Sequence, residues 1–443
     1  MKKNVTLPKT PKAMRALIKS LILIGSFLLF GTTYTQQVWS LDEGWRFHFG
    51  HAANPEKDFN YGIRTIFSKS GTAVGTAIDP NFVDTSWRKL DIPHDWAVEL
   101  PFVKHPAPDV DGHGYKPVGG HFPETTIGWY RKHFQVPNPM DGNRYVLQFD
   151  GIFRDAMIWV NGFFVGNIKS GYIGEQYNIT DILNPSGENV LVVRVDASQY
   201  EGWFYEGAGI YRHVWLRQTA PVYIPTGGHF YHNTVSNGVA RVEVETRVKN
   251  GTSVPVTCTV QSFITGRAGE PIAKSKEEAI QVGAAGEVSK KMAFSISQPR
   301  LWELDDPYLY RVITVVKQNG KEIARETGRM GIRTFRFDAN EGFFLNGRHR
   351  KIMGTNNHQD HAGVGVAVPD VLQFYRVRLL KNMGCNAYRT SHHPPAPELL
   401  DACDSLGMLV MDENRLLNSS PEYLDQLQRL VYRDRNHASV FLW

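Results

Sequence analysis

Three short runs near the carboxyl end of the chain concentrate groups that bind, orient and ionise. They are Asn356-Asn357-His358-Gln359-Asp360-His361, Arg389-Thr390-Ser391-His392-His393-Pro394 and Asp412-Glu413-Asn414-Arg415. Imidazoles, carboxylates and a guanidinium together suit a polyhydroxylated or charged small molecule, because each makes directional hydrogen bonds to hydroxyls or anions. Arg389 falls inside a strand-like stretch, where an arginine commonly orients a carboxylate. Asp412-Glu413 reads equally well as a strand exit that caps a turn. Metal binding is the weaker alternative. His392 and His393 are adjacent, and neighbours on an extended chain point opposite ways, so at most one faces a given ion. His358 and His361, three apart, could share the face of a turn, with hydrogen bonding to a substrate the better use. No His-Glu-x-x-His or Cys-x-x-Cys is present.

The elements that must position these runs follow the same order. A strand is expected at Lys351–Gly354, a helix at Asp370–Met383, a strand at Ala387–Thr390 and a helix at Pro397–Leu406, stopped by Gly407. A strand at Met408–Met411, a helix at Pro421–Arg433 and a strand at Ser439–Trp443 complete the series. The first helix is expected to bury Leu372, Tyr375, Leu379 and Met383 along one face, with Pro369 tolerated at its start. Strands alternating with helices mean a parallel sheet, and four strands read as half of a closed barrel. In such barrels the site lies at the carboxyl ends of the strands, and each polar run follows a strand.

Upstream the period is that of β-structure. Arg144–Phe149 alternates, Ala156–Val160 and Phe163–Gly166 flank Asn161-Gly162, and Asn189–Val195 reads as a further buried strand. Asn-Gly between apolar runs predicts a hairpin, since a type I′ turn needs positive φ at both central residues. Residues 36–220 are read as a jelly-roll β-sandwich, with the aromatic run at Trp203–Tyr205 serving either its core or a sugar-facing edge. Residues 221–336, with Arg241–Val248 alternating and strands at Val254–Phe263 and Tyr308–Val316, are read as an immunoglobulin-like sandwich. Residues 337–443 are the barrel part.

Lys2, Lys3, Lys9, Lys12, Arg15 and Lys19 precede the apolar run Leu21–Phe30, which describes a signal peptide over residues 1–35. An uncleaved anchor is the second reading, although the run falls short of the roughly 20 residues that span a bilayer. The expected location is the periplasm or the outside. Those six cations account for the formal charge of +5, so the rest is nearly neutral and no nucleic-acid partner is expected. Three cysteines, Cys258, Cys385 and Cys403, without ligand spacing, read as small buried thiols, with one bridge left open.

The chain resembles glycoside hydrolase family two, particularly its exported β-galactosidase-like members. The motifs are Ile92-Pro93-His94-Asp95-Trp96, Gly128-Trp129-Tyr130-Arg131, Gly151-Ile152-Phe153-Arg154-Asp155-Ala156 and Gly207-Ala208-Gly209-Ile210-Tyr211-Arg212. Trp302-Glu303-Leu304, Pro307-Tyr308-Leu309-Tyr310 and Asn386–Pro394 with Asp412-Glu413 continue the match. The resemblance implies a sugar-binding jelly roll, an immunoglobulin-like domain and a (β/α)8 catalytic TIM barrel. It further implies that His392 contacts sugar hydroxyls, Arg389 orients the nucleophile, Asp360 lies in a substrate loop and Asp196 reaches toward the sugar. His358, His361 and Glu413 complete the expected substrate-binding set. Asn414-Arg415-Leu416-Leu417 stands where the family keeps an acidic magnesium-binding stretch, so no metal or other cofactor is expected. Asn436–Trp443 matches the segment leading into the family's acid/base glutamate, and the nucleophilic glutamate lies further on. Retaining hydrolysis needs both carboxylates about 5 Å apart. The expectation is therefore a β-galactosidase part that takes a β-linked oligosaccharide or glycan and is inactive by itself. A truncated, non-catalytic carbohydrate-binding protein, or a β-glucuronidase or β-mannosidase specificity, are the alternatives, and a homo-oligomer is left open.

Overall fold

The strand Asn189–Asp196 shows how the amino-terminal sandwich is built. Its Leu191, Val193 and Val195 enter one core, while Val190 and Val192 enter a second core on the opposite face of the same sheet. A strand apolar on both faces must lie inside, and this one sits between Ile127–Phe134 and Ala156–Val160 in a six-stranded sheet. The facing sheet has four strands, Gln37–Ser40, Val214–Thr219, Arg144–Phe149 and Glu175–Asn178 in that spatial order. The structure is a computed structural model and describes residues 36–62, 74–104, 110, 112–136, 142–184, 186–202 and 204–443. The segment read as a signal peptide, and Trp203, lie outside these residues. Among the described residues no helix is long and apolar enough to cross a membrane.

Asn161 (φ 52°) and Gly162 (φ 80°) turn the expected hairpin between Ala156–Val160 and Phe163–Ile168. The immunoglobulin-like unit is two antiparallel sheets, one centred on Val239–Asn250 and the other on Val256–Thr265 and Tyr310–Gln318. Alternation along Val239–Asn250 places Val242, Val244 and Val248 inside. The two strands of the second sheet start two residues later than expected, because pairing rather than local propensity sets their ends.

The parallel sheet has the order Gly354–Asn356, Ala387–Arg389, Leu409–Met411 and Val440–Leu442. It is preceded by a small antiparallel sheet, Phe335–Asp338, Gly342–Leu345 and Arg348–His349, which the sequence reading missed. The first parallel strand starts three residues later than the expected Lys351–Gly354 and ends two later, and Pro369 precedes the first helix rather than opening it. That helix, Asp370–Asn382, also faces the other way. Tyr375, Leu379 and Met383 are exposed, while Gln373 and Val377 are buried and Phe374 and Leu380 pack against the barrel core. Two apolar stripes share this helix, and the one nearer the sheet is the buried one. All three cysteines are free thiols, Cys258 and Cys403 buried and Cys385 half-buried, so no bridge forms among them.

Candidate active site

Parallel pairing aligns Asn356 with Arg389 and Arg389 with Met411, which brings the three polar runs to one rim. Arg389 meets Glu413, two residues past the third strand, with Nε 3.0 Å from Oε2 and Nη2 3.1 Å from Oε1. His392 donates its Nδ1 proton to Glu413 Oε1 at 2.8 Å. The Glu413 amide is itself held by Thr390 Oγ1 at 3.0 Å. His358, exposed on the same rim, donates Nδ1–H to the Ser391 carbonyl at 2.9 Å. His393 turns away from its neighbour, as alternation requires. It is buried against Tyr172, and burial pulls its imidazole down to about 3. Four of the expected residues, His358, Arg389, His392 and Glu413, are thus brought together. In this chain the arginine's partner is Glu413.

The others are placed differently. Asp360 lies close enough for its charge to act on Tyr205 and Tyr388, and makes no hydrogen bond among the described residues. His361 pairs through its backbone with Gly365, and among the described residues its ring makes no hydrogen bond to the cluster. Asp196 turns to its own neighbourhood, accepting Ser198 N at 3.0 Å and Arg194 Nη1 at 3.4 Å. It contacts no barrel residue among those described. A sandwich residue that does reach His358 and His392 is Phe204, stacked on His358 with ring centroids 4.6 Å apart and 6.4 Å from His392. It belongs to the aromatic run seen in the sequence, where nothing marked it out from core filling.

Motif residues of the sandwich hold the rim loops in place. Arg212 donates to Gln359 Oε1 at 3.1 Å and to the Pro394 carbonyl at 2.8 Å, pinning the loops after the first two strands. Asp95 is fully buried, which raises its carboxyl, yet it accepts hydrogen bonds from Tyr205 Oη, Ala208 N and Val366 N. These contacts went unseen in the sequence because they join segments more than 100 residues apart.

Two groups could hold a metal ion among the described residues, His213 with Asp370 and Glu398, and Asp401 with Asp404 and His437. Each is already an ion-pair cluster. Burial opposes a charged His213, but hydrogen bonds to Asp370 and Asp42 hold it up at about 10. Neither cluster includes a residue of the rim.

Comparison with known proteins matches this architecture domain by domain. Residues 124–211 match the glycosyl hydrolase 2 galactose-binding domain-like family, 222–333 match glycosyl hydrolases family 2, and 338–443 match the family 2 TIM barrel domain. The chain belongs to glycoside hydrolase family 2. Within family 2 it is 38% identical over 381 residues to the β-galactosidase BoGH2A of Bacteroides ovatus, covering 83% of this chain and 44% of that protein. It is 30% identical over 385 residues to a putative β-glucuronidase of Formosa agariphila, covering 82% of this chain and 35% of that one. A solved family 2 member from Bacteroides cellulosilyticus superposes with a TM-score of 0.77 at 32% identity, covering 92% of this chain and 52% of its own. The chain spans about half the length, or less, of these relatives. The jelly-roll, immunoglobulin-like and partial-barrel order read from the sequence is the family 2 architecture.

Proposed function

We propose that this chain is the glycan-binding part of an exported β-galactosidase, recognising terminal non-reducing β-galactosides for retaining hydrolysis in carbohydrate catabolism. The observation that carries it is the Glu413 carboxylate held between Arg389 and His392 at the rim. A fixed carboxylate, an imidazole and a guanidinium in one plane of strands suit vicinal hydroxyls of a pyranose. A galactoside is favoured over a glucuronide because the Arg389 guanidinium is already engaged by Glu413 and does not seek a second carboxylate. The 38% identity to a β-galactosidase supports the same choice.

Retaining hydrolysis needs two carboxylates about 5 Å apart, and Glu413 is tied into the Arg389–His392 cluster as an anchor, so these 443 residues are read as binding sugar without cleaving it. Purified chain incubated with aryl β-galactoside and aryl β-glucuronide is expected to release no aglycone. Calorimetric titration is expected to show binding of methyl β-galactoside and weaker binding of the matching glucuronide. Turnover that survives removal of contaminating enzymes, or a preference for the glucuronide, overturns this reading. The proposed location, periplasmic or outside, rests on the basic leader and apolar run of residues 1–35 and is checked by fractionation of the source cells.

A further inference from the structure

Five flat groups alternate between barrel and sandwich beside the rim. His358 of the barrel lies face to face with Phe204 of the sandwich, at 4.6 Å and 16°. The guanidinium of Arg415, from the barrel, comes next, 5.2 Å from the Phe204 ring centre and 5.7 Å from that of Tyr172. Tyr172, from the sandwich, stacks in turn on His393 of the barrel at 6.2 Å and 20°. Arg415 is 4% exposed, an arginine taken out of water between two rings. Its Nη2 donates to the Glu201 carbonyl, and its Nε lies 3.7 Å from the Glu201 carboxylate. The sandwich loop closes onto it so tightly that a Cβ on Gly202 would lie 2.6 Å from Arg415 Nη2 and 3.1 Å from the Phe204 ring.

We infer that Arg415 is a positioning residue for the sugar site, acting through Phe204 on His358. The stack fixes one face of the His358 ring and the Ser391 carbonyl takes its Nδ1 proton. His358 Nε2 is left as the outward acceptor, without a partner among the described residues, on an exposed side chain. A ring held in that orientation presents Nε2 to a sugar hydroxyl, and a free ring would lose the orientation. What matters in Arg415 is the plane as much as the charge. Lysine keeps the charge opposite Glu201 but cannot fill the slot between two rings. The part of this inference that concerns sugar rests on the glycan reading above. The stack itself does not.

The test uses the full chain with 13C-labelled histidine, the His358 ring signals being identified by their loss in His358→Gln. Phe204 should shift those ring protons upfield through its ring current, and Phe204→Leu should return them to ordinary positions. Arg415→Met and Arg415→Lys are both expected to move them most of the way, and to speed amide exchange of the 198–207 loop at least tenfold. His358 signals unmoved in the Arg415 variants, or full rescue by Arg415→Lys, would overturn the inference in favour of simple charge pairing with Glu201. Should Arg415→Met fail to fold, Arg415→Lys alone carries the comparison. Methyl β-galactoside is then added. Shifts at His358 in the wild-type chain, weakened at least fivefold in Arg415→Lys, are expected. Equal binding by wild type and Arg415→Lys would also overturn the inference. No sugar response in the wild type removes the glycan reading, while the ring shifts still decide the positioning role.

Discussion

His392 and Glu413 meet at 2.8 Å across two neighbouring barrel strands, the imidazole donating and the carboxylate accepting. Arg389 engages the same carboxylate beside it, with Nη2 sharing Oε1 at 3.1 Å and Nε 3.0 Å from Oε2. Glu413 is therefore an anchor that orients two donors, both of which converge on Oε1.

Replacing it separates anchoring from stability. The Arg389–Glu413 pair is a quarter to a third exposed, so Glu413→Gln should cost only about 1 kcal/mol of stability. A hydrogen bond to a charged group is worth about 1.5–3 kcal/mol, so affinity for methyl β-galactoside should fall about tenfold or more. Calorimetric titration reads this, and an unchanged affinity would mean that the cluster does not face the sugar.

Glu206 makes stability fall with rising pH. Burial pushes its carboxyl up from 4.5 to about 7, despite hydrogen bonds from Glu201 N and Tyr172 Oη. The folded chain keeps this proton where the unfolded chain has released it, so stability drops between about 4.5 and 7 by at most about 3 kcal/mol. Glu206→Gln should match the wild type near pH 4 and exceed it at pH 8. Denaturant midpoints across that range check it, and parallel curves would rule the penalty out.

His437 acts at higher pH. Burial works against its cation, but Asp404, accepting the Nδ1 proton at 2.8 Å, holds it at about 9. Its stabilisation is complete below the usual 6.5 and is lost as pH rises through 9, about 3 kcal/mol at most. His437→Gln should be clearly less stable at pH 6 and approach the wild type near pH 10. A constant difference would assign the effect to packing instead.

The exposed stripe Val371, Tyr375, Leu379 and Met383 should make the isolated chain self-associate. Tyr375→Lys with Leu379→Lys is expected to lower the association seen by light scattering at tens of micromolar. A wild-type chain that stays monomeric there would contradict it.

Order and class of the elements were legible because they rest on local physics. Alternation in Arg144–Phe149, positive φ at Asn161-Gly162 and the helix stop at Gly407 each need only near neighbours. The rim was legible for a related reason, since parallel strands must end on the same side and the polar runs follow them. His358, Arg389, His392 and Glu413 were therefore named, in one set with Asp360, His361 and Asp196. Which residues complete that group was decided by tertiary packing alone. Asp196 was expected at the rim, yet its side chain is taken by Arg194 and Ser198, and Phe204 arrives there instead. Period chose Leu372, Tyr375, Leu379 and Met383 as the buried face of the first barrel helix, whereas the position of the sheet buries Gln373 and Val377 instead. Arg415 and Glu201 lie 214 residues apart, and nothing local to either marks the other. Periodicity is written within a few turns of the chain, whereas a stack interleaved from two domains exists only once both have folded against each other.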